Sequence, residues 1–154
     1  MSAKYDISLF QGETLNLHLL YLDENDNAIT VPDNTYSSRF QVRRSSDATS
    51  ILLDVNSSPY GVTAGITGGG GTGGEFGYTG ATAYASTTGG IKLNRNMGDT
   101  GGQTGGILIF AGATAMGHVP DGRHLYDLQL GASGETTQLI YGRFECHGEI
   151  TRWK

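Results

Sequence analysis

The heptapeptide HLYDLQL, residues 124–130, carries the clearest strand pattern in the chain. From Tyr126 onward the side chains alternate, so Tyr126, Leu128 and Leu130 fall on one face and Asp127 on the other. This period of two is typical of a β-strand with one buried face. The two-glycine turn GASGE follows, and TTQLIYGRFECHGEITRW then returns as a second strand.

The same pattern recurs upstream in YSSRFQVR, residues 36–43. Phe40 and Val42 fall on one side of this segment, and three polar residues fall on the other: Arg39, Gln41 and Arg43. Further strands are predicted in DISLF (6–10), TLNLHLLYL (14–22), SILLDV (50–55) and GILIF (106–110). Six or seven strands joined by polar turns predict an all-β protein, a small antiparallel β-sandwich. The only helix candidate, GATAMGHV (112–119), has room for a single turn between its two glycines.

Size and charge limit the function classes. A chain of 154 residues is expected to form one domain over residues 1–154. The formal net charge of −5 argues against a nucleic-acid partner, whose binding surface would be basic. No apolar run of 18 residues exists, so no membrane partner is expected, and the N-terminus lacks the pattern of a secretory signal. The chain is therefore expected to be assembled in a cytoplasm, with its one cysteine, Cys146, buried as a small apolar residue.

Residues 60–106 differ in composition from the rest of the chain. They hold 17 of the 25 glycines, including the stretch ITGGGGTGGEFG (66–77). A structureless loop of this length is unusual in a compact domain. We therefore interpret residues 60–106 as an insertion outside the core. Phe76, Tyr78 and Tyr84 are interleaved in it, which favours a long loop that reaches out from the sandwich over a simple linker.

The motifs that would carry chemistry are incomplete. The GxGxxG at residues 68–73 is followed by a poor helix former, so it does not fit a dinucleotide site. Residues 23–34 begin like a calcium loop but have Ala28 and Asn34 where glycine and glutamate are required. The four histidines are not spaced as zinc ligands, and no G-x-S-x-G occurs. The sequence therefore predicts no catalytic, cofactor-binding or metal site, and no enzyme.

Three blocks, taken in order, resemble a known family: YDISLFQGETLNLHLLYLDENDNAI (5–29), YSSRFQVRRSSDATSILLDV (36–55) and the block from GGILIF to EITR (105–152). The order of strands and turns, ending in YDLQL, YGRF and EITR, resembles the small immunoglobulin-like β-sandwich virion proteins of tailed phages. These include tail- and baseplate-associated proteins similar to the N-terminal domain of upper baseplate proteins. The resemblance covers roughly residues 5–55 and 106–152, and the insertion at 60–106 departs from it.

The resemblance implies a structural protein located in the virion, without catalysis, whose partners are other virion proteins in a homo-oligomeric ring or symmetric array. The glycine-rich insertion would then be an assembly arm that becomes ordered on its neighbours. Arg152 and Trp153 would be contact anchors, since both residue types are enriched at interface hot spots; alternatively, Trp153 folds over the end of the sandwich. Two further alternatives are a decoration protein of the phage head and a carbohydrate-binding module with Tyr78, Tyr84 or Trp153 as stacking platforms.

Overall fold

The computed structural model describes residues 3–29, 31, 35–47, 51–58, 60–67, 84–94, 105–132 and 134–148. Within these ranges the chain forms eleven strands and a single helical turn, which confirms the predicted all-β sandwich. The elements are β1 (Ala3–Lys4), β2 (Ile7–Phe10), β3 (Leu15–Leu20), β4 (Ser37–Arg43), β5 (Ile51–Ser57), β6 (Tyr60–Thr67), β7 (Tyr84–Ser86), β8 (Gly90–Leu93), β9 (Gly106–Ala111), α1 (Ala113–Met116), β10 (Gly122–Ala132) and β11 (Glu135–His147). None of the described residues belongs to a helix with the length and hydropathy that a bilayer crossing requires.

The strands form two sheets. The large sheet has the order β1-β11-β10-β4-β5-β6-β7, and β2 also pairs with β11. The small sheet has the order β3-β9-β8. Apolar side chains from both sheets form one buried cluster, which includes Leu52, Leu53, Val55, Ile107, Ile109 and Leu128.

The alternation predicted for the central strands is confirmed. Tyr126, Leu128 and Leu130 of β10 are at most 4% exposed, and Phe40 and Val42 of β4 are fully buried. The ring of Phe40 lies 5.1 Å from that of Tyr126 and 6.3 Å from that of Phe144, measured between centroids. Aromatic pairs at these distances add to the free energy gained by burying their area. This ring cluster is the centre of the large sheet's buried face.

The N-terminal edge of the large sheet differs from the antiparallel prediction. Both β1 and β2 run parallel to β11, with Lys4 opposite Tyr141 and Ile7 opposite Phe144. The sheet is therefore mixed, because strand alternation predicts which face is buried but says nothing about the direction of a distant partner. Between the two strands the amide of Tyr5 donates to the carbonyl of Tyr141 at 2.8 Å, so the pairing continues through this gap.

Gly142 makes this edge possible. The sequence pattern predicts a bulge or a close backbone approach there, and the structure confirms a close approach. A Cβ atom at this position would lie 2.9 Å from the carbonyl carbon of Tyr5 and 2.8 Å from Oδ1 of Asp6. Gly142 pairs with Tyr126 on its other side, and the Tyr126 hydroxyl donates to the carbonyl oxygen of Tyr5. The absence of a side chain thus lets β10 bind the N-terminal segment across β11.

The acidic turn after β3 is a solvated hairpin turn. Leu22 pairs with Ala28, and Oδ1 of Asp23 accepts the amides of Asn25 and Asn27 at 2.8 and 2.9 Å. The carboxylate is therefore used to close the turn. The predicted single helical turn is also present, at α1.

The predicted boundaries of the insertion at residues 60 and 106 are wrong. β6, β7 and β8 lie inside this range, and Val62, Ala64, Ile91 and Leu93 belong to the buried cluster. The alternation in GIKL is only four residues long and lies among glycines, so the sequence alone does not identify it as a strand. Residues 68–83 and 95–104 lie outside the described residues, and the assembly arm remains a prediction.

Candidate functional site

Most of the interface residues predicted from the sequence fall outside the described part of the chain. Phe76, Tyr78, Arg152 and Trp153 all lie there. Tyr84 begins β7, where its backbone pairs with Ala64 of β6. The role of these five residues at an interface therefore stays a prediction.

A groove of about 640 Å³ lies on the solvent face of the large sheet. β1, β11, β10 and β4 form its floor, and the loop after β4 contributes two serines. Its volume falls within the range of small-molecule sites, about 300–1,000 Å³. The lining residues are Lys4, Gln41, Arg43, Ser45, Ser46, Leu125, Tyr126, Asp127, Gln129, Gln138, Tyr141, Gly142 and Arg143.

Strand register arranges the groove side chains in rows. In one row, Arg43 and Arg143 lie on either side of Leu125. Side chains directly opposite each other in a sheet are about 4.5–5.5 Å apart at Cβ, so one arginine side chain begins on each side of the exposed aliphatic side chain of Leu125.

The next row consists of Lys4, Tyr141, Asp127 and Gln41, in the order of their strands. It lies two residues along each strand, about 7 Å away. Tyr141 is 40% exposed and Leu125 of the first row 42%. The two rows thus place three cations, one carboxylate and two apolar surfaces in one small area.

Asp127 is held by two amides. Nε2 of Gln129 donates to its Oδ2 at 2.9 Å, and Nε2 of Gln138 donates to the same oxygen at 3.2 Å. In β4, the Arg43 guanidinium donates to Oε1 of Gln41 at 3.1 Å. The polar side chains of the groove are therefore fixed by one another, so binding costs less side-chain entropy than it would for independent groups.

The strand patterns predict that Gln41, Arg43 and Asp127 lie on the solvent face, but they do not predict the groove. Lys4 and Tyr141 reach it only through the parallel pairing of β1 with β11. That pairing is a long-range property with no local pattern. The Arg, Gln and Asp residues at outward positions of β4 and β10 are the one indication that the sequence offers.

The histidines are dispersed among the described residues. His118 contacts the carbonyl of Thr114, and Nε2 of His147 lies 3.0 Å from Oγ of Ser8. No group of three potential metal ligands occurs within the ranges that the structure describes. Cys146 is buried as predicted, and burial raises the pKa of its thiol to about 11.

His124 is the buried histidine of β10, at 1% exposure. Its Nε2 donates to the carbonyl of Pro120 at 2.8 Å, while Nδ1 has no hydrogen-bond partner among the described residues. Burial lowers the pKa of His124; the Pro120 carbonyl and Asp121 act in the opposite sense, and Arg44 adds to the lowering. Protonation would create a buried N–H donor without an acceptor, which is unfavourable.

We therefore expect the melting temperature to fall as the pH is lowered from 8 toward 5.5. The unfolded chain takes up a proton at His124 near pH 6.5, whereas the folded chain resists it, so stability is lost below that value. The measurement is a series of melting curves for the wild type and for His124→Gln, whose amide nitrogen can replace Nε2. The wild type should lose more stability than the variant across this window; parallel curves would contradict the expectation.

No protein-family model matches this sequence, and no curated protein is significantly similar to it.

Proposed function

We propose that this chain is a non-enzymatic structural protein of a tailed-phage virion, an accessory β-sandwich on the tail, baseplate or neck that binds neighbouring virion proteins. The proposal is supported by the ordered resemblance of residues 5–55 and 106–152 to such proteins. Residues 5–55 contain β2, β3, β4 and most of β5, and residues 106–152 contain β9, β10 and β11. The two blocks include two of the three strands of the small sheet, so the resemblance extends over both sheets of the sandwich.

The observation that carries the proposal is the edge strand β3. Within the described ranges, β3 pairs with β9 on one side and with no strand on the other. An unpaired strand edge presents backbone groups that can add a strand from another protein. Leu20 at its end is 46% exposed, and Leu22 just beyond it is 41% exposed. An edge strand with one exposed leucine at its end and another two residues beyond suits a protein neighbour, either another virion protein or a second copy in a ring.

The test is incorporation into particles. Purified virions from an infected host that expresses a tagged chain should contain it at a fixed copy number. Copy number also separates the tail from the head, because a ring repeats a subunit far fewer times than a shell does. A tagged chain that is missing from purified particles would refute the virion proposal.

The role of β3 has a separate test. The double variant Leu20→Asp, Leu22→Asp should keep the wild-type melting temperature, because both residues are exposed, and should lose about tenfold or more in incorporation. Leu125→Asp is the matched control, since Leu125 is 42% exposed on the other sheet. Equal incorporation of the wild type, the double variant and Leu125→Asp would show that virion neighbours bind at a surface other than the β3 edge.

A further inference from the structure

We propose that the groove on the solvent face of the large sheet binds an acidic oligosaccharide, one whose sugar rings carry carboxylate groups. The site is defined by Lys4, Tyr141, Asp127, Arg43 and Arg143. It differs from the β3 edge, and the inference does not depend on the virion proposal.

The charge of the groove favours an anion. Its lining has three cationic side chains, Lys4, Arg43 and Arg143, and one carboxylate, Asp127. The local charge is thus +2, in a chain whose formal net charge is −5. Asp6 lies nearby, but its Oδ1 accepts the amide of Arg143 at 3.0 Å, and it does not line the groove. Guanidinium groups bind carboxylates through paired, charge-assisted hydrogen bonds.

The uncharged groups suit a sugar. Three glutamine amides and two serine hydroxyls supply both donors and acceptors, as recognition of several ring hydroxyls requires. Two of these amides, those of Gln129 and Gln138, already donate hydrogen bonds to Asp127. Tyr141, exposed between Lys4 and Asp127 in the row, offers a flat apolar face on which the C–H groups of a sugar ring can pack.

An acidic peptide fits the groove less well. Extended peptides are commonly recognised by adding a strand to a sheet edge, where backbone groups are unpaired. The groove instead lies mainly over β4, β10 and β11, which are paired on both sides, and only Lys4 comes from the edge strand β1. Recognition here must come from side chains, which favours a ligand that carries its hydroxyl and carboxylate groups around a ring.

The test is a titration of the ¹⁵N-labelled protein with trigalacturonic acid, followed by NMR. We expect amide shifts concentrated at Leu125, Asp127, Tyr141 and Arg143, and no such shifts with the uncharged methyl ester of the same trisaccharide. Arg143→Gln should weaken binding by about tenfold or more, since one charge-assisted contact is worth at least the energy of that factor. Tyr141→Ala should also weaken binding, because it removes the flat face on which the sugar ring packs. Lys4→Gln is a second charge variant if Arg143→Gln lowers the melting temperature.

Arg39→Gln is the matched control. Arg39 is on the same face, but its guanidinium binds Asn56 at 2.9 Å and Asp54 at 3.4 Å, outside the groove. This variant should bind like the wild type. Three results would overturn the proposal: no shifts at millimolar trisaccharide, equal binding of the methyl ester, or tighter binding of a glutamate-rich peptide at the same residues.

Discussion

Phe40→Ala should lower the free energy of unfolding by about 3–5 kcal/mol, the usual cost of removing a fully buried phenylalanine. Phe40 has no exposed surface and contacts the rings of both Tyr126 and Phe144. The substitution leaves a cavity between β4, β10 and β11 and removes two aromatic contacts. For a chain of this size we expect the melting temperature to fall by roughly 6–20 °C.

Urea titrations monitored by far-ultraviolet circular dichroism measure this loss of free energy of unfolding. Leu125→Ala is the control, because Leu125 lies on the opposite face of the same sheet at 42% exposure and should change stability by about 0.5 kcal/mol or less. A loss below about 1 kcal/mol for Phe40→Ala would mean that the ring cluster is not the centre of the core.

Gly142→Ala should lower the free energy of unfolding by about 2–4 kcal/mol, although it adds only one methyl group. The new Cβ would meet the carbonyl carbon of Tyr5 at 2.9 Å, so β1 and β2 must move away from β11. That movement also breaks the hydrogen bond from the Tyr126 hydroxyl to Tyr5. Hydrogen exchange should accelerate at residues 5–10 more than in β4 or β5, because the damage begins at the N-terminal edge.

Gly131→Ala is the matched control within the same hairpin. A Cβ at Gly131 would lie 3.6 Å from its nearest neighbour, an ordinary contact. Because alanine reduces the freedom of the unfolded chain, this variant should be neutral or more stable by up to about 1 kcal/mol. Equal stability of the two alanine variants would show that the N-terminal segment does not need a glycine beside it.

The sequence predicts the buried faces well because burial of a strand is a local property. Alternation alone places Phe40, Val42, Tyr126 and Leu128 inside, and they are inside. A glycine within a strand also predicts a bulge or a close backbone approach at Gly142. It does not say what approaches, since Tyr5 is brought there by pairing between the two ends of the described chain.

The candidate groove was beyond sequence reasoning for the same reason. Arg43, Leu125 and Arg143 form one row only after three strands have been set in register. The sequence does not predict β8 for a different reason: Ile91 and Leu93 provide a single repeat of the strand pattern among many glycines. Their burial is decided by the facing sheet, not by their own neighbours in the chain.

The parallel pairing of β1 and β2 with β11 also delays completion of the large sheet while the chain is being synthesised. The contact between Asp6 and Arg143 spans 137 positions of sequence, so the first strands are made long before their partner. At ordinary rates of translation the ribosome needs on the order of ten seconds to make that interval. During this time β1 and β2 have no β11 to pair with, and an early strand with an unsatisfied edge is a natural target for a chaperone. The sheet can be completed only after β11 has left the ribosomal tunnel.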